Sequence, residues 1–328
     1  MRTSSAPVAA HVPAAFFGIV LGLGGLANAW RAAHAVWRLP AMFGEALFAC
    51  AALAWALLTA LYARKWIVAP DQAREEANHP VQCCFIGLVG VATLLIAQGA
   101  LPYSHALAVL LFLAGATFAL SFGLWRTGLL WRGGREPGTS TPILYLPIVA
   151  AGFIGGATAA ALGWADWGQL AFGAAFFSWL AIESVLLHRL YTGPIMPPSL
   201  RPVLGIQLAP PAVGAVCYIA IGGTSDLVAH ALLGYALLQA LLLLRLAPWI
   251  VEQPFAASYW AFSFGATALA GAAVRLSQAQ GRAAIATIAP VLFVGANLLV
   301  AGVALGTLYL LARGRLLPPA VQPAAVGR

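Results

Sequence analysis

The sequence predicts an all-α integral membrane protein of ten transmembrane helices arranged as five helical hairpins. Three observations predict it: an apolar composition, apolar runs about one bilayer long, and a proline that recurs at the start of every second run. Of the 328 residues, 62% are hydrophobic and 8% charged, and the mean hydropathy is +0.90. Soluble domains carry about 25% charged residues, so this chain lacks the polar surface to face water and takes lipid as its solvent. Spanning backbone N–H and C=O groups must then pair internally, in helices or in a closed barrel. Continuous runs of about twenty residues favour helices over the roughly ten-residue alternation of a barrel strand.

The ten runs fall at 13–30, 42–63, 81–100, 103–125, 142–163, 166–187, 202–223, 226–246, 254–274 and 283–312, so that 1–328 reads as a single transmembrane domain. The turns at Leu101–Pro102 and Gly163–Asp166 are the shortest. Residues 1–10 lack the basic stretch and short apolar core of a cleavable signal. With ten spans, both termini and the even-to-odd loops share one side, which holds 13 of the 17 Lys and Arg residues. Arg31, Arg38, Arg275 and Arg282 lie on the other. By the positive-inside rule both termini are expected to be cytoplasmic. The net charge of +8 is then a cytoplasmic rim and needs no nucleic-acid partner. Cys50, Cys83, Cys84 and Cys217 sit in apolar segments and read as small core residues, not as a disulfide frame or metal site.

The odd spans begin at Pro13, Pro80, Pro142, Pro202 and Pro254, at intervals of 67, 62, 60 and 52 residues. Proline suits a first helical position, where its missing N–H would be unpaired anyway. Each interval accommodates one helix out and one back, which gives the five hairpins. Glycine separates the two classes: 17 in the odd spans, 9 in the even ones. In one reading this marks tight helix packing, and Gly18–Gly22 and Gly152–Gly156 are GxxxG pairs. In the other, the odd helices ring a central axis and the even ones face lipid.

No odd span carries a charged residue between its ends; the intramembrane acids Glu45 and Glu183 are both on even spans. Coupled transporters place ionisable groups on the path, whereas an uncharged conduit selects by width, backbone dipoles and helix ends. Glu183 lies one turn from His188 and Arg189 and is expected to pair structurally with them. Pro210-Pro211 is expected to break span 7, leaving a restarted helix whose positive end faces an anion.

The stretch Leu200-Arg201-Pro202-Val203-Leu204-Gly205-Ile206-Gln207-Leu208-Ala209-Pro210-Pro211 resembles the tellurite-resistance/dicarboxylate transporter family, which includes bacterial tellurite-resistance protein A and the plant slow-type anion channels. Gly234-Tyr235-Ala236-Leu237-Leu238-Gln239, Leu244-Arg245-Leu246-Ala247-Pro248-Trp249-Ile250-Val251-Glu252 and Trp260-Ala261-Phe262-Ser263-Phe264-Gly265 extend the likeness, with weaker echoes at Tyr145-Leu146-Pro147 and 179–187. The resemblance implies five hairpins around a quasi-fivefold central pore, a homotrimer with one pore per subunit, and a phenylalanine of span 9 plugging the pore. By position that residue is Phe264. Phe262 is second choice, about 200° around the helix from it. With the glycine and proline pattern, the candidate pore-lining and kink positions are Gly22, Gly90, Pro147, Phe153, Gln207, Pro210 and Pro211. The short tails leave no room for the phosphorylated extensions that control the plant members.

The leading functional expectation is a gated channel for passive transport of small anions, chloride- or nitrate-like. The alternative is a secondary carrier exporting dicarboxylate, sulfite or tellurium oxyanions. The partners implied are small inorganic or organic anions and membrane lipid, with no cofactor. An enzyme is disfavoured, because the six histidines (11, 34, 79, 105, 188 and 230) are scattered without metal-ligand spacing.

Overall fold

The structure, a computed structural model, describes residues 12–278 and 283–317; His11 and Arg282, named above, lie outside them. Its helices are α1 (Phe17–Trp37), α2 (Ala41–Val68), α3 (Pro70–Asn78), α4 (Leu88–Ala100), α5 (His105–Trp131), α6 (Ala151–Ala161), α7 (Ala165–Thr192), α8 (Ala209–Ala220), α9 (Leu227–Ile250), α10 (Ala261–Leu276) and α11 (Ala283–Ala312). The even spans α2, α5, α7, α9 and α11 are unbroken α-helices of 24 to 30 residues. Ser104 starts α5 by accepting from the Leu107 N–H, and Asp226 starts α9 by accepting from Val228 and Ala229.

The odd spans are built differently. Each enters through a segment that is not α-helical: 3-10 turns at Ala14–Phe16, Gln82–Gly87, Pro142–Tyr145, Pro198–Leu208 and Ala257–Trp260, the third continuing as a π turn over Leu146–Ala150. The recurring prolines therefore belong to 3-10 entrances, not to the first turn of an α-helix as expected: Pro13, Pro80 and Pro254 precede theirs, Pro142 opens its own and Pro202 lies inside Pro198–Leu208. Proline's fixed φ matches the 3-10 range. Pro210-Pro211 does not break span 7 either. The two prolines occupy the first turn of α8, and the Ala209 N–H is already bonded to Ile206 in the 3-10 stretch before it. The helix changes type there and exposes no free N-terminus.

The inner segments α1, α4, α6, α8 and α10 pack in that cyclic order, and α10 closes the ring on α1. Each pairs with the helix that follows it, giving the hairpins α1–α2, α4–α5, α6–α7, α8–α9 and α10–α11. Each outer helix also touches the inner helix of the next hairpin, and α11 returns to α1, so the five-hairpin ring is continuous. Between 61% and 78% of the inner residues are buried in the four inner spans that are apolar enough to count as membrane-crossing, against 22% to 33% in the outer ones. The inner and outer classes inferred from glycine and proline are therefore real. Nine helices among the described residues are long and apolar enough to cross a membrane. The tenth, over 257–276, owes its lower apolarity to Ser258, Ser263, Thr267 and a run of alanine and glycine.

Three expectations change. The inner helices α1 and α10 run past the expected ends and take in Arg31 and Arg275 near their C-termini, where a cation complements the helix dipole. The polar stretch after α2, a connection between hairpins in the ten-span expectation, forms the amphipathic helix α3. Cys83, Cys84 and Cys217 are buried, but Cys50 is exposed on the outward side of α2.

Most inner glycines serve close approach. A Cβ on Gly90 would come 2.9 Å from both the Ala119 Cβ and the Gly115 carbonyl of α5. Gly90→Leu is expected to cost about 1–3 kcal/mol through overpacking, read as a lower unfolding temperature in detergent. Gly173→Ala, where α7 has open space, is expected to stay within about 1 kcal/mol of the parent.

Candidate functional site

The five inner segments run parallel, so their non-α entrances meet on one side of the ring. There they surround a cavity of about 1000 Å³. Its mouth is polar, lined by the exposed Gln72, Glu75, His79 and Arg315. Its walls are apolar and come from the five entrances. At the inner end the lining stops at Leu21, Leu88, Phe153, Val213 and Phe264, one residue from each inner helix. The space is thus a blind funnel with a hydrophobic floor.

Two acceptors tie the mouth to these entrances. The Glu76 carboxylate of α3 accepts from the Ala14 N–H at 2.8 Å, from Lys65 Nζ at 2.8 Å and from the Tyr62 hydroxyl at 3.2 Å. It therefore sits as an anion on the N-terminus of the first inner helix, where the dipole favours it. His79 Nδ1 accepts from the Val81 and Gln82 N–H groups at 3.1 and 3.0 Å, which places the ring proton on Nε2. The entrances of α6, α8 and α10 have no side-chain cap at their first residue.

Of the residues singled out from sequence, Phe153, Pro210 and Phe264 line the cavity. Phe264 is 8% exposed, and its ring fits because α1 has Gly25 opposite, where a Cβ would come 3.0 Å from it. Phe153 similarly lies over Gly214, 3.2 Å from where its Cβ would be. Phe262 points elsewhere, packed on Gly205 of the fourth entrance and stacked with Tyr259. Gly22 faces Trp260 and Ser263, Gly90 faces α5, and the Pro147 carbonyl lies against Gly123. These three are packing contacts away from the cavity, as is the buried Pro211. Gln207 also turns outward, to Glu183.

Glu183 is not partnered by His188 or Arg189. Its carboxylate accepts from the Tyr145 hydroxyl, Trp179 Nε1 (2.9 Å), Gln207 Nε2 (3.1 Å), the Tyr235 hydroxyl (2.6 Å) and Gln239 Nε2 (3.3 Å). Glu45 pairs with Arg31, which also donates to the Gln98 and Gly99 carbonyls and lies over the Phe48 ring. Tyr103 adds a bond to Glu45 at 2.7 Å. Sequence reading missed a polar chain across three inner helices on the far side of the floor. Asn28 donates to Gln98 at 3.0 Å and Gln98 to Thr158 at 2.9 Å. Its signal was present, as polar residues isolated in otherwise apolar spans.

Lys65 and Glu76 have side chains only 7% and 8% exposed, so losing one partner leaves a buried charge. Glu76→Ala is expected to cost about 3 kcal/mol, and Lys65→Met combined with Glu76→Leu clearly less, both measured by thermal unfolding in detergent.

A family model described as SLAC1, voltage-dependent anion channel, matches residues 11–308. The tellurite resistance protein TehA homolog of Haemophilus influenzae is 35% identical over 306 residues, covering 93% of this chain and 92% of that one. The S-type anion channels SLAH4 and SLAH1 of Arabidopsis thaliana are each 27% identical, over 83% and 81% of this chain and 76% and 72% of theirs. The ring of five hairpins and these matches carry one conclusion: the chain belongs to the SLAC1 anion channel family.

Proposed function

We propose that this protein is a gated channel for passive transport of small anions of the chloride or nitrate kind, with Phe264 as its gate. The observation that carries the reading is the convergence of five parallel helix entrances on a funnel that ends in an uncharged floor. Oriented N-terminal dipoles attract an anion into the mouth. An apolar ring across the bore excludes water and blocks passage without binding the ion. Phe264 is one of two phenylalanines in the floor, and its ring fills the space that Gly25 on α1 leaves without a side chain.

In this reading 1–328 is one transmembrane domain, the mouth and both termini face the cytoplasm of a bacterial cell, and three copies assemble with one pore each. The basic bias of the mouth side supports the orientation. The alternative is a carrier for dicarboxylate, sulfite or tellurium oxyanions. It draws on the tellurite-resistance name of the Haemophilus relative and on an intramembrane acid, Glu183, that touches the cavity-lining Tyr145.

Ion-substitution electrophysiology on reconstituted protein tests the proposal. Phe264→Ala is expected to raise anion current about tenfold or more, as removing ~1.4 kcal/mol of barrier does. A folded Phe264→Ala protein that stays silent refutes the gate. Flux that accumulates substrate against its gradient decides for the carrier.

A further inference from the structure

We propose that Glu183 is a positioning residue for the anion path: its carboxylate holds the entrances of the third and fourth inner helices in their tight form and so sets the width of the cavity. The inference rests on reading that cavity as the path. Glu183 is 6% exposed, carries no cationic partner among the described residues, and accepts five hydrogen bonds from neutral donors. An intramembrane carboxylate so placed is costly unless every lone pair is used, and here they are.

The donors come from four elements. Tyr145 ends the 3-10 turn of the third entrance and Gln207 lies in the 3-10 stretch of the fourth. Trp179 is one turn before Glu183 on α7, while Tyr235 and Gln239 are on α9. One carboxylate therefore clamps two inner entrances to two outer helices. Tyr145 carries the effect to the cavity, whose wall it forms.

Long 3-10 segments are unfavourable by themselves and need outside support. The Pro198–Leu208 stretch has 11 residues. At a rise of about 2.0 Å per residue it is roughly 5 Å longer than the same stretch as α-helix. A longer helix is also thinner, and the 3-10 turns, Pro142–Tyr145 and Pro198–Leu208 among them, leave room at the centre. Without the clamp, these two turns relax toward the shorter, wider α form and the funnel narrows.

Glu183→Gln tests this at the correct atom. If the amide oxygen keeps Gln207, Tyr235 and Gln239, its NH2 faces the Trp179 N–H, and donor meets donor. In the Phe264→Ala background, unitary conductance is expected to fall roughly three- to tenfold, the range of one net hydrogen bond. Glu183→Asp, which keeps the charge, is expected to recover part of that loss. Unitary conductance does not depend on how much protein folds, so a merely structural role leaves it unchanged. A second reading needs no transport. With Cys50 replaced, a charged methanethiosulfonate reagent should modify a cysteine at the cavity-wall position Ala150 several-fold more slowly when Glu183→Gln is present. If the Gln variant does not fold, Tyr145→Phe decides, with the same direction and a smaller change. Unchanged conductance and unchanged modification in a folded variant overturn the proposal. A silent Phe264→Ala parent refutes the gate instead, and the modification rate still decides for or against the clamp.

Discussion

Five parallel helix entrances cannot be gathered around one space without an answer to their dipoles. Each N-terminus carries about half a positive charge, and the inner ring brings five together. The hairpin architecture supplies the answer, because every outer helix is antiparallel to its inner partner and returns a C-terminus to the same side. The result is radial: a positive centre, a surrounding ring of helix C-termini, and a rim where Lys65, Arg126, Arg189 and Arg315 stand near those ends. Glu76 and His79 compensate the first two entrances directly. The other three have no side-chain cap at their first residue. In the proposed reading, attraction of an anion to the funnel thus follows from topology before any side chain is chosen.

The same ring must hold together in lipid, where apolar surface alone does not drive helices together. Two devices do so. Small residues let backbones touch, as Gly90 and Gly115 do between α4 and α5. Indole N–H groups then fasten outer helices to inner ones: Trp55 to Thr93, Trp30 to Asn297 and Trp260 to Thr307, all at 2.9 Å. A buried interhelical hydrogen bond in a membrane is worth about 0.6 kcal/mol on average, so repetition around the ring matters more than any one of them. Phe264 and Phe153 exploit the same economy of side chains, each ring occupying space that a glycine on the next inner helix leaves empty.

How much of this was legible follows from the range of each signal. Span positions, the hairpins and the inner and outer classes are properties of local runs and of spacing, and they are legible; four of the five outer helices extend several residues further at their C-terminal ends, and α11 ends at Ala312 as expected. The 3-10 entrances were not legible, since 3-10 and α segments draw on the same apolar residues and differ in support from neighbours. Glycine was legible as a class but not in direction: Gly22 and Gly90 contact helix neighbours, not the cavity. The Glu183 cluster was the least readable feature. Its partners at 145, 207, 235 and 239 are 24 to 56 residues away, and the local candidates His188 and Arg189 diverted the expectation. Phe264 and Phe262 separate only because their helix faces differ, a distinction periodicity could support and the cavity lining then makes concrete.

The disposition of acids bears on channel against carrier. A coupling group must change its charge where substrate can sense it, so it needs access to the path and freedom from fixed partners. Glu76 is bound by Lys65 and a helix N-terminus. Glu45 is locked to Arg31 and Tyr103 at the other end of the helices. Glu183 is screened from the cavity by Tyr145 and held by five donors from four elements. These three acids are engaged in holding geometry, and the acid on the path side, Glu75, stands at the exposed mouth, away from the floor. In the proposed reading the variable at the floor is the position of an uncharged ring, and a ring that moves aside would admit ions down their gradient without a stoichiometric partner, which is what that reading requires of a channel.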